Sequence, residues 1–424
     1  MSRKAPILFL ILTAVLALFG LGIYGLAAGS PGKEVSAMSE TTLIIATDLH
    51  YLAPELTDHG TYFEDMVTDS DGKVMDYIEE LTDAFLAEVI EAQPAALILS
   101  GDVSFNGARV SHEALAAKLR AVAEAGVPVL VMPGNHDLEN SNAAAFRGDG
   151  FTRVGSVTAA EFATIYADCG FATALARDAA SLSYMYEVSP GLRVLMLDVN
   201  TADSPNTVKP ETLAWAEAQL ADASLAGAKV VAVSHQNVFK HNSVIYSGYL
   251  IENADDLLAL YKKNGVLVNL SGHLHCQHIS HDDSCFYEIA TSSLAVSPNQ
   301  YGVLTLSDHE AAYATRITDV SAWAARQGMT DPNLLDFAAY SLDFFRCSGR
   351  DDTVRRMADD PDTRAAAEFF TELNVAYFSG RMDTVSADDP GFDILGGLGG
   401  FAGLYALSLR EEAGLDSTKL TVRY

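Results

Sequence analysis

The chain has 424 residues, 49% hydrophobic and 20% charged, long enough for a large catalytic unit plus a smaller one and too apolar for a disordered protein. Its formal net charge of −29 argues against a nuclease for duplex DNA and against an anionic membrane surface as partner, because a diffuse negative field repels polyanions. An anionic substrate remains compatible where bound cations supply local positive charge.

Pro6 to Ala28 form an uncharged apolar run behind Arg3 and Lys4. Its length matches the roughly 20 residues that cross a bilayer as a helix and exceeds the roughly 7–15-residue core of a cleavable signal. The basic flank predicts a single-pass anchor in the cell membrane with the rest of the chain extracytoplasmic. The alternative is a secreted chain cut near Val35-Ser36-Ala37. Gly29 to Glu40 reads as a flexible linker.

Strand-like and helix-like segments then alternate. Leu43–Ala46 reads as a buried strand, Val74–Gln93 as an amphipathic helix, Ala96–Leu99 as a strand, Ser111–Ala125 as a helix and Val127–Met132 as a strand. The acidic stretch Asp58–Lys73, with its Asp69-Ser70-Asp71-Gly72, reads as an ordinary turn. Ser183–Tyr186 and Arg193–Leu197 form a predicted hairpin around Pro190-Gly191. Lys229–Val233 and Val266–Leu270 are strands separated by a helix near Asp255–Lys263, and Phe286–Ala290 and Tyr301–Leu306 are the last strands. The alternation implies βαβ units and an α/β domain over residues 41–310. Beyond Ser307 apolar residues recur at helical spacing in Asn333–Phe345 and Arg364–Phe378, predicting a small helical domain over 320–424. Cys169, Cys276, Cys285 and Cys347 follow no metal-binding spacing. Cys276 and Cys285 flank a short loop and are the best candidate disulfide pair, buried thiols being the alternative.

Five fragments carry the chemistry: Asp48-Leu49-His50, Gly101-Asp102, Gly134-Asn135-His136-Asp137, Ser234-His235 and Gly272-His273-Leu274-His275. They supply carboxylate, imidazole and amide oxygen but no thiolate, a set suited to divalent manganese, iron or zinc. Each ends an apolar run, and the carboxyl ends of strands in α/β sheets are where ligands gather. Residues i and i+2 of a strand point to one side, so Asp48 with His50, and His273 with His275, are expected to present ligands in pairs. Asp102 sits on a strand-to-loop turn from which a carboxylate can reach two ions.

In this order the fragments resemble the calcineurin-like metallophosphoesterases over roughly Thr42 to Leu306. Gly101-Asp102-Val103-Ser104-Phe105-Asn106-Gly107 resembles that family's extended second motif, with Asn106 in its polar position. The resemblance implies a four-layer α/β (α+β) sandwich, with two mixed β-sheets packed face to face and helices outside. It implies two divalent ions, manganese or iron favoured over zinc. One would be held by Asp48, His50, Asp102 and His275, the other by Asp102, Asn135, His235 and His273. Two such ions can activate a bridging hydroxide. His136 matches the family's non-ligand histidine, which would bond a phosphate oxygen or protonate the leaving group. Asp137 could orient a neighbouring group, or simply be a loop carboxylate or helix cap.

The substrate is less constrained than the chemistry. The Ile251-Glu252-Asn253 segment, the run Gly272–His278 and Tyr287–Ser293 resemble a branch of membrane-anchored or secreted bacterial phosphodiesterases acting on cyclic nucleotides. That resemblance implies a small phosphoester substrate, a 3′,5′-cyclic nucleotide. Asn106 and His278 are then candidate substrate contacts, while His241 and His281 read more readily as surface or loop residues. The alternatives are a phosphomonoesterase or nucleotidase, or a hydrolase of an extracytoplasmic lipid or wall phosphodiester. A non-enzymatic module on a degenerate scaffold is disfavoured, because no ligand position is missing.

Overall fold

The computed structural model describes residues 40–68, 71–348, 352–359 and 363–424. The predicted anchor and most of the linker lie outside the described residues. Among the described residues no helix is long and apolar enough to cross a membrane.

Three parallel strands, β1 (Thr41–Ala46), β2 (Ala96–Ser100) and β3 (Val129–Met132), open the first sheet. The second sheet contains β4 (Tyr184–Ser189), β5 (Leu192–Met196), β6 (Lys229–Val233), β7 (Val268–Ser271), β8 (His278–His281) and β9 (Tyr287–Ala290), with Ala176–Arg177 at one edge. The chain then returns to the first sheet as β10 (Gln300–Leu306), β11 (Glu310–Ile317) and β12 (Lys419–Arg423). The first sheet is ordered β12-β11-β10-β1-β2-β3, and the second runs β8-β9-β7-β6-β5-β4 before its short edge strand. Both are mixed: β5, β6, β7 and β9 are mutually parallel, whereas β4 and β8 run against their neighbours.

Alternation along the strands separates the layers. Leu192, Val194 and Met196 of β5 and Val231 and Val233 of β6 share one core with Leu43, Ile45, Leu97, Leu99 and Val131 of the first sheet. The intervening Leu195, Val230 and Ala232 face outward into a separate core. Helices cover both outer faces. On α1 (Ile78–Ala92) the buried Ile78, Leu81, Phe85 and Val89 recur at helical spacing, as do Leu115, Leu119 and Val122 on α2 (Arg109–Glu124). The helices α3 (Pro210–Ala226) and α4 (Ala254–Lys263) cover the second sheet through Ala216, Leu220, Leu257 and Tyr261. The architecture is therefore helix, sheet, sheet, helix.

The helical segment contains α5 (Phe337–Cys347), α6 (Arg364–Phe378), α7 (Pro390–Leu398) and α8 (Gly400–Arg410). Leu373, Tyr377, Phe392, Leu395, Ala406 and Leu409 form its core, which also takes in Cys276 of the α/β part. The segment is not helical to its end. Residues Lys419–Arg423 alternate and pair antiparallel with β11, from Glu310↔Arg423 to Ala314↔Lys419, so the C-terminus closes the edge of the first sheet. The Cys276–Cys285 disulfide does not form: all four cysteines are free. Cys276 points into the apolar helical core, whereas Cys285 stands exposed on the turn between β8 and β9.

Candidate metal centre

All five fragments sit directly beyond the carboxyl ends of parallel strands, three from the first sheet and two from the second. The pairing of ligands does not come from strand alternation, because β1 stops at Ala46 and β7 at Ser271. Asp48, His50, Asp102, His273 and His275 instead have φ of 52°, 47°, 45°, 68° and 59°. Aspartate and histidine tolerate this left-handed backbone better than most residues, yet it costs about 1–3 kcal/mol per residue and persists only where the surroundings impose it. Repeated left-handed turns fold each loop back so that its side chains meet those of the facing sheet.

Close approach depends on two glycines. A Cβ on Gly134 would lie 2.2 Å from Asp102 Oδ1, and one on Gly272 would lie 1.9 Å from Thr47 Oγ1 and 2.6 Å from Asp48 Oδ2.

The ligating atoms gather in overlapping groups. Asp48, His50 and His275 form one; Asp102, His235 and His273 form another; His50, Asp102 and His136 form a third, the atoms of each lying within 4.8 Å of one another. His275 Nε2 is 3.2 Å from Asp48 Oδ1 and 3.1 Å from His50 Nε2. His235 Nε2 is 3.4 Å from Asp102 Oδ2 and 3.1 Å from Asn135 Oδ1. The seven expected ligands therefore converge, and Asp102 stands in two of the groups.

Hydrogen bonds fix which atom of each side chain faces the centre. Asp48 Oδ2 accepts from Thr47 Oγ1 and the His273 amide at 2.6 and 2.9 Å, while the buried Asp48 Oδ1 has no hydrogen-bond donor. Asp102 Oδ1 accepts from the His136 amide at 2.8 Å, leaving Oδ2 inward. His235 Nδ1 donates to the Ser100 carbonyl at 2.9 Å and His273 Nε2 to the Gly248 carbonyl at 3.1 Å, so His235 presents Nε2 and His273 presents Nδ1. His136 Nδ1 is 2.8 Å from the Phe105 carbonyl, which places its Nε2 toward Asp102. A buried carboxylate oxygen without a donor, facing the Nε2 atoms of His50 and of His275, whose Nδ1 is already held by Asp71, fits a divalent cation.

Electrostatics agree with the donor set. Burial works against the charge on Asp48, but His275 and His235 outweigh it and hold the carboxyl well below the ordinary range. Burial is likewise outweighed at Asp102 by His235 and His136. Burial disfavours charge on His235, yet Asp102 pushes it up to about 9; at His275, burial and Lys73 oppose the charge, and Asp71 and Asp48 push it up to about 9. Burial and the neighbouring His235 bring His273 down to about 4.

Other expected residues fall in different places. Asp137 is fully buried and accepts from the Val103, Ser104 and Gly134 amides and from Ser104 Oγ, tying the loops after β2 and β3 together. Asn106 borders the cavity at His136, but its amide is occupied by the Ala144 carbonyl and the Ala108 amide. His278 borders neither cavity beside the centre; it lies buried between His241, 2.8 Å away, and Glu412, 3.1 Å away. His241 lies on the loop between β6 and α4 as expected but is buried rather than at the surface, with Nε2 3.1 Å from Glu288, whereas His281 is exposed. Asp71 was missed: it lies 2.8 Å from His275 Nδ1 and also contacts Lys73 Nζ, fixing that ring. Nothing in an acidic turn two hundred residues from His275 signals this in sequence.

Residues 41–277 match the model of the calcineurin-like phosphoesterase family. The chain belongs to the calcineurin-like phosphoesterases. It is accordingly a metal-dependent phosphoester hydrolase. Residues 319–406 of this phosphoesterase match the C-terminal domain of cyclic nucleotide phosphodiesterase. No curated protein matches the chain. Solved structures with a related course include a dimetal phosphatase from Danio rerio, at 14% identity and TM-score 0.48 over 66% of this chain and 96% of that one. Another is GAP50, the anchor in the inner membrane complex of Plasmodium, at 14% identity and TM-score 0.41 over 74% and 96% of the two chains. The family assignment rests on the sequence match and not on these likenesses.

Proposed function

We propose that this phosphoesterase is a dinuclear phosphodiesterase whose substrate is a 3′,5′-cyclic nucleotide. The observation that carries the dinuclear reading is Asp102, a single buried carboxylate set between two imidazole clusters. Asp48, His50, Asp102 and His275 would hold one ion, and Asp102, Asn135, His235 and His273 the other. Such a pair would supply Lewis acidity toward the attacking and leaving oxygens of a phosphoryl group, with manganese or iron suited to the mixed imidazole and oxygen donor set.

The chain's own groups do the rest. His136 is 38% exposed at its side chain and borders a cavity of about 590 Å³. With Nδ1 bound to the Phe105 carbonyl, a second proton on this ring must sit on Nε2. From there it is delivered to the departing alkoxide, so His136 acts as the general acid. Asp137 keeps His136 and Asp102 in register by holding both loops. The cyclic-nucleotide reading is supported by the match of residues 319–406 and by the packing of that segment beside His273 and His275. The apolar run Pro6–Ala28 makes this enzyme a membrane-tethered one acting outside the cytoplasm.

The test is turnover by the manganese-loaded chain of 3′,5′-cyclic nucleotides, bis-p-nitrophenyl phosphate and p-nitrophenyl phosphate. Hydrolysis of the diesters, cyclic nucleotides foremost, is expected. Activity confined to the monoester overturns the reading in favour of a phosphomonoesterase or nucleotidase.

A further inference from the structure

We propose that the cavity between the metal centre and the C-terminal helices is a nucleobase pocket, with Phe401 and Tyr405 as the stacking surface and Asn374 as the group that bonds the edge of the base. This rests on the phosphodiesterase reading and adds where the base lies and what selects it.

The cavity measures about 260 Å³ and has two unlike walls. His273 and His275 form one, so a phosphoryl group at the metal centre is within one side chain of it. Tyr249 continues this wall, its ring 4.8 Å from that of His273. The opposite wall is aromatic and comes from α6 and α8. The rings of Phe401 and Tyr405 are stacked nearly parallel, 4° apart in orientation with centroids 5.8 Å apart. Phe370 and Tyr377 meet Tyr405 edge-on at 6.0 and 6.2 Å, which keeps that ring in place. Phe401 is 56% exposed, so its face is open to an incoming ring. A parallel aromatic stack with an exposed outer ring, beside the proposed metal centre, suits a planar heteroaromatic group.

The edge contact comes from Asn374. It lines the same cavity, and its Oδ1 is buried without a hydrogen-bond donor. A buried acceptor in this state is costly unless a ligand supplies the donor. Each common nucleobase carries an amino or imide N–H on its edge. The cavity at His136 is larger, about 590 Å³, and also has aromatic residues, including Phe151. Its amides, however, are already paired: Asn106 with Ala144 and Ala108, and Asn140 with His136 and Asn142. It offers area but no buried acceptor left without a donor, so the base is assigned to the pocket of Asn374.

The experiment uses the full manganese-loaded chain with bis-p-nitrophenyl phosphate as reporter. Inhibition constants are measured for adenosine and guanosine 5′-monophosphate and for ribose 5-phosphate, which keeps the sugar and phosphate but lacks the base. Base stacking and one edge bond correspond to nucleotides inhibiting roughly 5- to 100-fold more tightly than ribose 5-phosphate. Phe401→Ala and Asn374→Leu should each bring that ratio toward one, and Phe151→Ala should not. The ratio is internal to each variant, so a partly inactive preparation does not distort it. A wild-type ratio of one overturns the pocket. So does a ratio abolished by Phe151→Ala and retained in the other two variants. If cyclic nucleotides are not hydrolysed but the ratio behaves as expected, the substrate reading fails and the pocket stands.

Discussion

Asp102 and His136 are neighbours with opposite expected phenotypes. Asp102 Oδ2 faces both His235 and His136, and its Oδ1 is tied to the His136 amide. Asp102→Ala therefore removes the carboxylate common to two clusters and should leave turnover at background with metal content sharply reduced. His136→Ala removes the ring proposed to serve the leaving group through Nε2, so metal content should persist while kcat falls roughly 10²–10⁴-fold. Metal analysis by mass spectrometry alongside kcat separates the two, and loss of metal in His136→Ala would make that ring a ligand. Proton linkage at the centre gives a further expectation. His235 and His275 are pushed up to about 9 in the metal-free fold, from an ordinary histidine value of 6.5. Their charged forms stabilise the metal-free protein fully below the ordinary value, and that contribution is lost as pH rises toward 9. A bound cation takes the place of those protons. The rise in Tm on adding manganese should thus be larger at pH 8.5 than at pH 6.5. A metal effect that shrinks over this interval would contradict the assignment of His235 and His275.

At the scale of elements, the loops rather than the strands build the centre, and glycine decides how closely they pass. Gly272→Ala would drive a Cβ into Thr47 and Asp48. Loop displacement there should weaken manganese binding by roughly 10–100-fold, the range typical of groups that orient metal ligands. Gly397 lies in α7 with open space around its Cβ position, and Gly397→Ala should stabilise the protein by about 0.5–1 kcal/mol through helix propensity. Isothermal titration with manganese and denaturant melts of both variants check this pair. The contrast also marks what the sequence could convey. Most strands and helices of the phosphoesterase part were legible because their periodicity is strong, but His278–His281 and Glu310–Ile317 were not read as strands; in the C-terminal segment Arg364–Phe378 was placed to the residue. The ligands were legible as residue types beyond apolar runs. Their backbone was not: alternation predicts that Asp48 and His50 share a side in an extended strand, whereas both occupy left-handed turns past the strand end. Nor was Asp71, since its partner His275 is distant in sequence and local spacing carries no trace of the contact. The closing strand β12 was hidden because five residues with exposed alternate positions are too short a pattern against a helical background.

Across the whole molecule, the C-terminal segment is fastened to the phosphoesterase part at its far end as well as along its face. β12 pairs with β11, the amide of Gln277 donates to the Phe378 carbonyl, Gln277 Nε2 donates to the Ser417 carbonyl, and the Ser417 amide donates to the Gly380 carbonyl. Tyr313 of β11 donates its hydroxyl to Gln277 Oε1, so one buried glutamine joins the first sheet, the loop after β7 and the helices. His278 adds its contact with Glu412, and Cys276 enters the helical core. Independent domains are joined by few crossing contacts and separate readily; here the crossings are buried and carry the loop that supplies His273 and His275. Unfolding the helices alone would strip the cover from Cys276 and leave the backbone N–H and Nε2 of Gln277 unpaired beside the loop after β7. The two parts should therefore melt in a single calorimetric transition, and manganese should raise that one transition as a whole, because a ligand that binds only the folded state stabilises whatever unfolds with its site. Gln277→Leu, which keeps the volume but breaks the two side-chain links to Ser417 and Tyr313, should split the transition or broaden it, with the lower component insensitive to manganese. Two well-separated transitions in the unmutated chain would show instead that the helices are a detachable module and that the crossing bonds do not couple them to the centre.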